Sequence, residues 1–208
     1  MMKMVSPAAI VFLFAEDFAR ENKSLKKGAK FFDWQKRYDA FETVAAAFGV
    51  TIAKLKREGK IQLRIKKGFL GMKRLVFVRT TDIPEEYGVI ARGLQSISPY
   101  KEVELKAALF LSIPISPLPT HALSRYVIQR DLKGYNYEEL RHSLEIQHEK
   151  ENLKRILEEF KRDEEIWKLF LKSLEKAMDM CRGKEGITLY TPLDMLEDAK
   201  NENKKGTP

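Results

Sequence analysis

Apolar and polar residues recur along this chain with two different periods, and the switch between them falls at Gly59. Upstream, Tyr38, Phe41, Ala45, Phe48, Ile52 and Leu55 recur at spacings of three and four, which stacks them on one face of an α-helix. Asp33 supplies an N-cap and Glu58-Gly59 a stop. The predicted helix therefore covers 33–58, continuous through Gly49 although glycine costs about 1 kcal/mol there relative to alanine. The alternative register turns at Gly49-Val50 and leaves 51–58 as a short second helix. Before it, Ser6-Pro7 opens a helix over about 7–22 with Ile10, Phe14 and Phe18 on one face, and 23–30 reads as a loop or short helix. Downstream, Ile61, Leu63 and Ile65 alternate with Gln62, Arg64 and Lys66, the period of a half-buried strand. Gly68 and Gly71 flank a tip, and 75–78 is an apolar second strand, so the two form a hairpin.

Beyond residue 80 the pattern is helical. Asp82-Ile83-Pro84 starts one helix and Ser98-Pro99 another that ends at Pro114, while three prolines in 113–119 read as a stiff connector. A shorter helix is expected over about 120–132. Asn136 and Glu139 form a capping box that opens a long amphipathic helix over about 137–181. Along its second half Leu153, Leu157, Phe160, Glu164, Trp167, Leu171, Leu174, Met178 and Cys181 follow a coiled-coil spacing. A last short helix begins at Thr191-Pro192. The fold class is mainly α, divided into an N-terminal domain over 1–80 and an all-helical domain over 81–208.

Charge sharpens this division. The chain of 208 residues carries a net +8, yet residues 1–80 hold 18 Lys and Arg against 7 Asp and Glu, or +11, and the remainder sums to −3. Such asymmetry is a sign of contact with nucleic acid or an acidic membrane surface, the alternative being a basic surface kept for solubility. A single cysteine excludes an internal disulfide and fits a reducing compartment. The Lys- and Glu-rich, Asn- and Gln-poor surface is thermophile-like. The apolar run 8–15 is short and leads into Glu16, Asp17 and Arg20, which suits a buried helix better than a signal peptide. No segment approaches the ~20 apolar residues needed to span a bilayer, so a cytoplasmic protein without membrane contact is expected.

Catalytic and metal chemistry find no foothold in the pattern. His142 and His148 lie on different faces of the expected helix and Cys181 is remote, which gives no zinc spacing. The 68–71 glycines lack the strand–loop–helix setting of a phosphate loop. Asp163-Glu164-Glu165 reads as a solvated helix face, and Cys181 as a small buried hydrophobe. The expectation is no enzyme, no cofactor and no metal; a small-molecule ligand cannot be inferred.

Helices followed by a basic hairpin, with Leu55-Lys56-Arg57-Glu58-Gly59-Lys60-Ile61 at the junction, resemble the winged-helix (winged helix-turn-helix) DNA-binding fold over residues 7–79. The resemblance departs from the family pattern in leaving only 24–32 for the helix before the recognition helix. It implies that the 33–58 helix enters a major groove, with Gln35 and Thr43, beside Asp39 and Ala47, towards base edges. Lys36, Arg37, Lys54, Lys56, Arg57 and Lys60 would then meet phosphates. Arg64, Lys66, Lys67, Lys73 and Arg74 would reach from the wing to the backbone or the minor groove. Phe69, Leu70 and Met72 at the tip fold back on the helices in one reading and wedge into a partner in the other. The seam Leu153, Leu157, Phe160, Trp167, Leu171, Leu174 and Met178 is expected to pair two copies, although Ile156, Ile166 and Phe170 broaden it towards an intramolecular bundle. The sum is a homodimeric transcription regulator that binds double-stranded DNA. The alternatives are a protein-interaction adaptor and a replication or partition protein of a mobile element.

Overall fold

The computed structural model describes residues 5–21, 38–68, 71–183 and 191–197. Ser6 caps α1 (Pro7–Leu13), its hydroxyl accepting from the Ala9 amide, and every residue of α1 is buried. The helix expected over 7–22 is broken at Phe14, whose backbone leaves the helical region before the single turn of α2 (Ala15–Phe18). Arg141 makes that break tolerable, since its guanidinium donates to the Leu13 carbonyl and to Glu16.

The central element is α3 (Ala40–Arg57). It is capped by Asp39, which accepts from the Glu42 amide at 2.8 Å, so the described helix starts seven residues after the expected cap at Asp33. It runs unbroken through Gly49. From Thr43 to Ala53 every side chain is buried, because α1 lies on one side and α8 (Leu144–Arg162) on another. Gly49 is what lets α8 approach: a Cβ there would stand 2.8 Å from Leu157 Cδ1 and 3.3 Å from the Trp167 ring. The C-terminus closes with Gly59 at φ 70° and a Lys60 amide bond back to the Leu55 carbonyl at 2.9 Å.

The hairpin forms in the expected place. Strand β1 (Ile61–Lys67) pairs antiparallel with β2 (Lys73–Arg79), from Ile61 opposite Arg79 to Lys67 opposite Lys73. A third strand, β3 (Glu102–Glu104), adds to β2 with Glu104 opposite Val76 and Glu102 opposite Val78. The helix expected over 98–114 is therefore this strand followed by the short α5 (Leu105–Phe110). Between hairpin and β3 lie a 3-10 turn (Glu85–Tyr87) and α4 (Gly88–Gln95). Arg79 ties these together from a buried position: its Nε donates to the Ile97 carbonyl at 2.6 Å and its Nη1 to Asp82 at 2.6 Å and Gln95 at 3.1 Å.

Helix α6 (Pro119–Asp131) matches expectation. The long helix does not. It is interrupted at Ser143 and at Asp163, giving α7 (Tyr137–His142), α8 and α9 (Glu164–Met180), with residues 192–197 helical as well. Asp163 acts as the N-cap of α9, accepting from the Ile166 amide at 3.1 Å. At the break Phe160 meets the edges of Trp167 and Phe170, which stack on each other at 5.0 Å. One buried cluster extends from Val5 to Cys181 and draws on both sides of residue 80, so the core does not divide where the charge does.

Candidate nucleic-acid interface

The expected recognition surface splits into a part that faces water and a part that does not. Gln35, Lys36 and Arg37 lie outside the described residues. Thr43 and Ala47 are fully buried, and the Thr43 hydroxyl donates to the Asp39 carbonyl at 2.8 Å. Neither can reach a base edge from inside the core. The heptad-like stripe on α3 described only one of its buried faces; the alanines, threonines and valines between those positions are small enough to be covered as well.

Lys54 is also committed internally. Its ammonium stands 2.6 Å from Glu149 of α8 and 5.8 Å from the centre of the Tyr87 ring. Burial, with Glu58 and Glu86 nearby, drives the Tyr87 phenol well above its ordinary range, so that ring is a neutral face for the cation.

The remaining cations line the outside. Lys56 and Arg57 project from the last turn of α3, and Lys60 follows at the turn into β1. Gln62, Arg64 and Lys66 alternate outwards along β1, an edge strand of the sheet. Lys67 stands exposed at the far end. Among the described residues, the side chains of Lys56, Arg57, Lys60 and Lys67 have neither an ion pair nor a hydrogen bond. The others meet carboxylates from beyond residue 80. Arg64 reaches Glu102 at 3.3 Å, Lys66 reaches the same carboxylate, Arg74 holds Glu104 at 2.8 Å, and Lys73 meets Glu165. Arg64, Lys66, Lys73 and Arg74 nevertheless stay about half exposed. The hydrogen bond from Lys66 holds the Glu102 carboxyl below the usual carboxylate range, and Lys106 with Arg74 does the same for Glu104. Both remain ionised at neutral pH and compete for these cations.

Two features of this face were missed in the sequence. Glu102-Val103-Glu104 has the alternation of a strand, yet three residues between Pro99 and an apolar run were absorbed into a helix. Tyr100 is the other: it is 76% exposed at φ 60°, and its amide donates to the Arg79 carbonyl at 2.7 Å, where the Thr80 amide in turn reaches the Lys60 carbonyl. A bulky residue in the left-handed region is strained by about 1–2 kcal/mol, and here it sets an aromatic ring beside Lys101 at the end of the sheet.

The expected dimer seam is covered by its own chain. Leu153, Leu157, Phe160, Leu174 and Met178 are buried, and Trp167 and Leu171 are partly so; α8 lies on α3, and α9 on α5 and β2. Cys181 is buried as well, its thiol pushed up to about 12 by burial, which removes its reactivity as a thiolate. Met72 at the hairpin tip is 68% exposed rather than folded back, while Phe69 and Leu70 lie outside the described residues. Among the described residues no group of His, Cys, Asp or Glu could hold a metal ion, and no helix is long and apolar enough to cross a membrane. Comparison with protein-family models, with curated proteins and with solved structures found no match for this chain.

Proposed function

We propose that this protein binds nucleic acid, duplex DNA in the first instance, by gripping its phosphate backbone with the basic rim that runs from the end of α3 along the outer edge of the hairpin. The observation that carries this reading is the set of surface cations without a counterion among the described residues, the exposed Lys56, Arg57 and Lys67 with the half-buried Lys60, flanking the half-exposed Arg64 and Lys66. A cation left unpaired beside others raises the local potential, and a phosphate ladder relieves it by releasing condensed counterions. In this reading the hairpin plays the wing of a winged helix. The buried body of α3 contributes position and not base recognition, so affinity is expected to depend little on sequence. This reading needs only a single copy, and the burial of Leu153, Leu157, Phe160, Leu174 and Met178 within the chain supports that. Regulation of transcription is the simplest role for such binding.

The test is a mobility-shift titration on random duplex across salt. Four phosphate contacts predict a slope of about −3.6 in log K against log salt. Replacing Lys56, Arg57, Lys60 and Lys67 together by glutamine should flatten that slope and weaken all duplexes alike. Absence of retention at low salt, or a slope unmoved in the variant, overturns the reading.

A further inference from the structure

A second concentration of positive charge lies off the rim, in a recess behind the hairpin. A cavity of about 280 Å³ opens between β2, the start of α5 and α9. Its wall holds Lys73, Arg74, Lys106, Lys172 and Lys176, against the single carboxylate of Glu104. That carboxylate is already shared, by Arg74 at 2.8 Å and Lys106 at 2.8 Å, and Lys73 turns to Glu165 outside the recess. Lys172 and Lys176 have no counterion among the described residues. Leu75 and Leu169 also line the space, an apolar surface that strengthens the field of the charges around it.

The lysine spacing itself works against the helix, offset in part by Glu164, Glu175 and Asp179 three or four residues away. Lys168, Lys172 and Lys176 repeat every fourth residue of α9, and like charges at that spacing destabilise a helix. Two of the three are brought against Lys73, Arg74 and Lys106 by separate elements of the fold. Arg74, Lys106, Lys172 and Lys176, with Lys73 at the margin, come from a strand, a short helix and a long helix to form a concave donor set, and lysine ammonium groups of this kind bind phosphate as point charges while arginine binds it with a planar fork.

We propose that this recess is a binding site for a phosphate-dense anion, one that presents two or three linked or neighbouring phosphate groups. The proposal stands on the recess itself and not on the duplex reading above. The phosphates have two sources, a free oligophosphate or nucleotide tail and the backbone of a nucleic acid crossing from the rim, since Lys67 of the rim lies opposite Lys73 of the recess in the hairpin.

Titration calorimetry of the full chain with inorganic tripolyphosphate at about 0.1 M salt, where the Debye length is about 10 Å, tests it. One-to-one binding is expected. Lys172→Gln with Lys176→Gln, both exposed positions on α9, should weaken binding by about tenfold or more at an unchanged melting temperature. The same charge removed at the far end of the rim, as Lys56→Gln with Arg57→Gln, should leave it within about twofold, since exposed charges beyond a Debye length are screened. No binding, or equal losses in the two variants, overturns the site in favour of general electrostatics. If the α9 variant also loses duplex and tripolyphosphate competes with duplex, the backbone is the source. If duplex retention is untouched, the ligand is a free oligophosphate. Tripolyphosphate binding without any duplex retention supports the recess while the rim reading fails.

Discussion

Replacing Glu102 by glutamine removes one negative charge from the outer face of the sheet without changing the shape of the side chain. In the structure that carboxylate is the partner of both Arg64 and Lys66, and its own exposure is about a third. The glutamine keeps an oxygen for one hydrogen bond but no longer holds two cations, so both side chains become available to an incoming phosphate. If each then contacts one, the slope of log K against log salt steepens by about 1.8, and the affinity lost over a fourfold rise in salt grows by about tenfold. Folding should be little affected, because exposed ion pairs contribute little and are screened. The assay is fluorescence anisotropy of a labelled random duplex at several salt concentrations, with the melting temperature measured alongside. A variant that folds normally and binds with the wild-type slope would refute the reasoning, since the outer face of the hairpin would then lie off the path of the backbone.

Three further outcomes follow from the packing and the ionisable groups. Gly49→Ala gains about 1 kcal/mol of helix propensity but sets a methyl 2.8 Å from Leu157 Cδ1. With overpacking at about 1–3 kcal/mol, the melting temperature should fall by about 2–4 °C, and a rise would mean that the end of the Leu157 side chain gives way to the methyl without cost. Tyr100→Gly relieves the left-handed backbone at φ 60°, so the variant should unfold no earlier than the wild type; a clear loss of stability would place the ring in a packing role. Stability should be flat from about pH 7 to about pH 8.5, above which the raised Cys181 thiol and Tyr87 phenol begin to cost the folded state, and fall in two stages below that range. Burial holds the His121 imidazole below its ordinary 6.5, and Arg20 holds the Glu42 carboxyl below 4.5, as Lys106 and Arg74 do for Glu104. A depressed folded pKa stabilises above the unfolded value and is lost as pH falls through the folded one. A shallow decline is thus expected below about pH 6.5 and a steep one below about pH 4.5. A stability maximum near pH 4 in thermal scans would contradict these assignments.

Period and punctuation carried most of the secondary structure. The hairpin was legible because Ile61, Leu63 and Ile65 alternate and two glycines bracket the tip, and α6 because the proline-rich connector stops where it begins, although Pro119, assigned to that connector, is its first residue. What failed were interruptions inside periodic runs. The 4–3 spacing from Leu153 to Cys181 continues straight through Asp163, yet that aspartate caps a new helix. A capping side chain competes locally with the helix it interrupts, and the periodicity of its neighbours carries no trace of the outcome. Phe14 gives no signal either, since its break depends on Arg141, 127 positions further along the sequence, reaching the Leu13 carbonyl.

The site was legible in its charge and not in its geometry, for a related reason. Residues 1–80 are basic as a matter of counting, but which cations remain available is decided by carboxylates that arrive later in the chain. Glu102 and Glu104 reach the hairpin because β3 pairs with β2, and Glu149 reaches Lys54 because α8 lies along α3. The same covering buries the middle of α3, where Ala45, Ala46, Ala47, Gly49 and Ala53 look neutral between the larger positions of the stripe. Small side chains cost little to expose and little to bury, so a sequence rich in them does not say whether one face or all faces will be covered. A helix of this composition is suited to the centre of a bundle, since neighbours can approach it from several directions at once. That is why the groups free to meet a polyanion stand at its C-terminal end and on the hairpin beyond, where the small residues stop and Lys56, Arg57 and Lys60 begin.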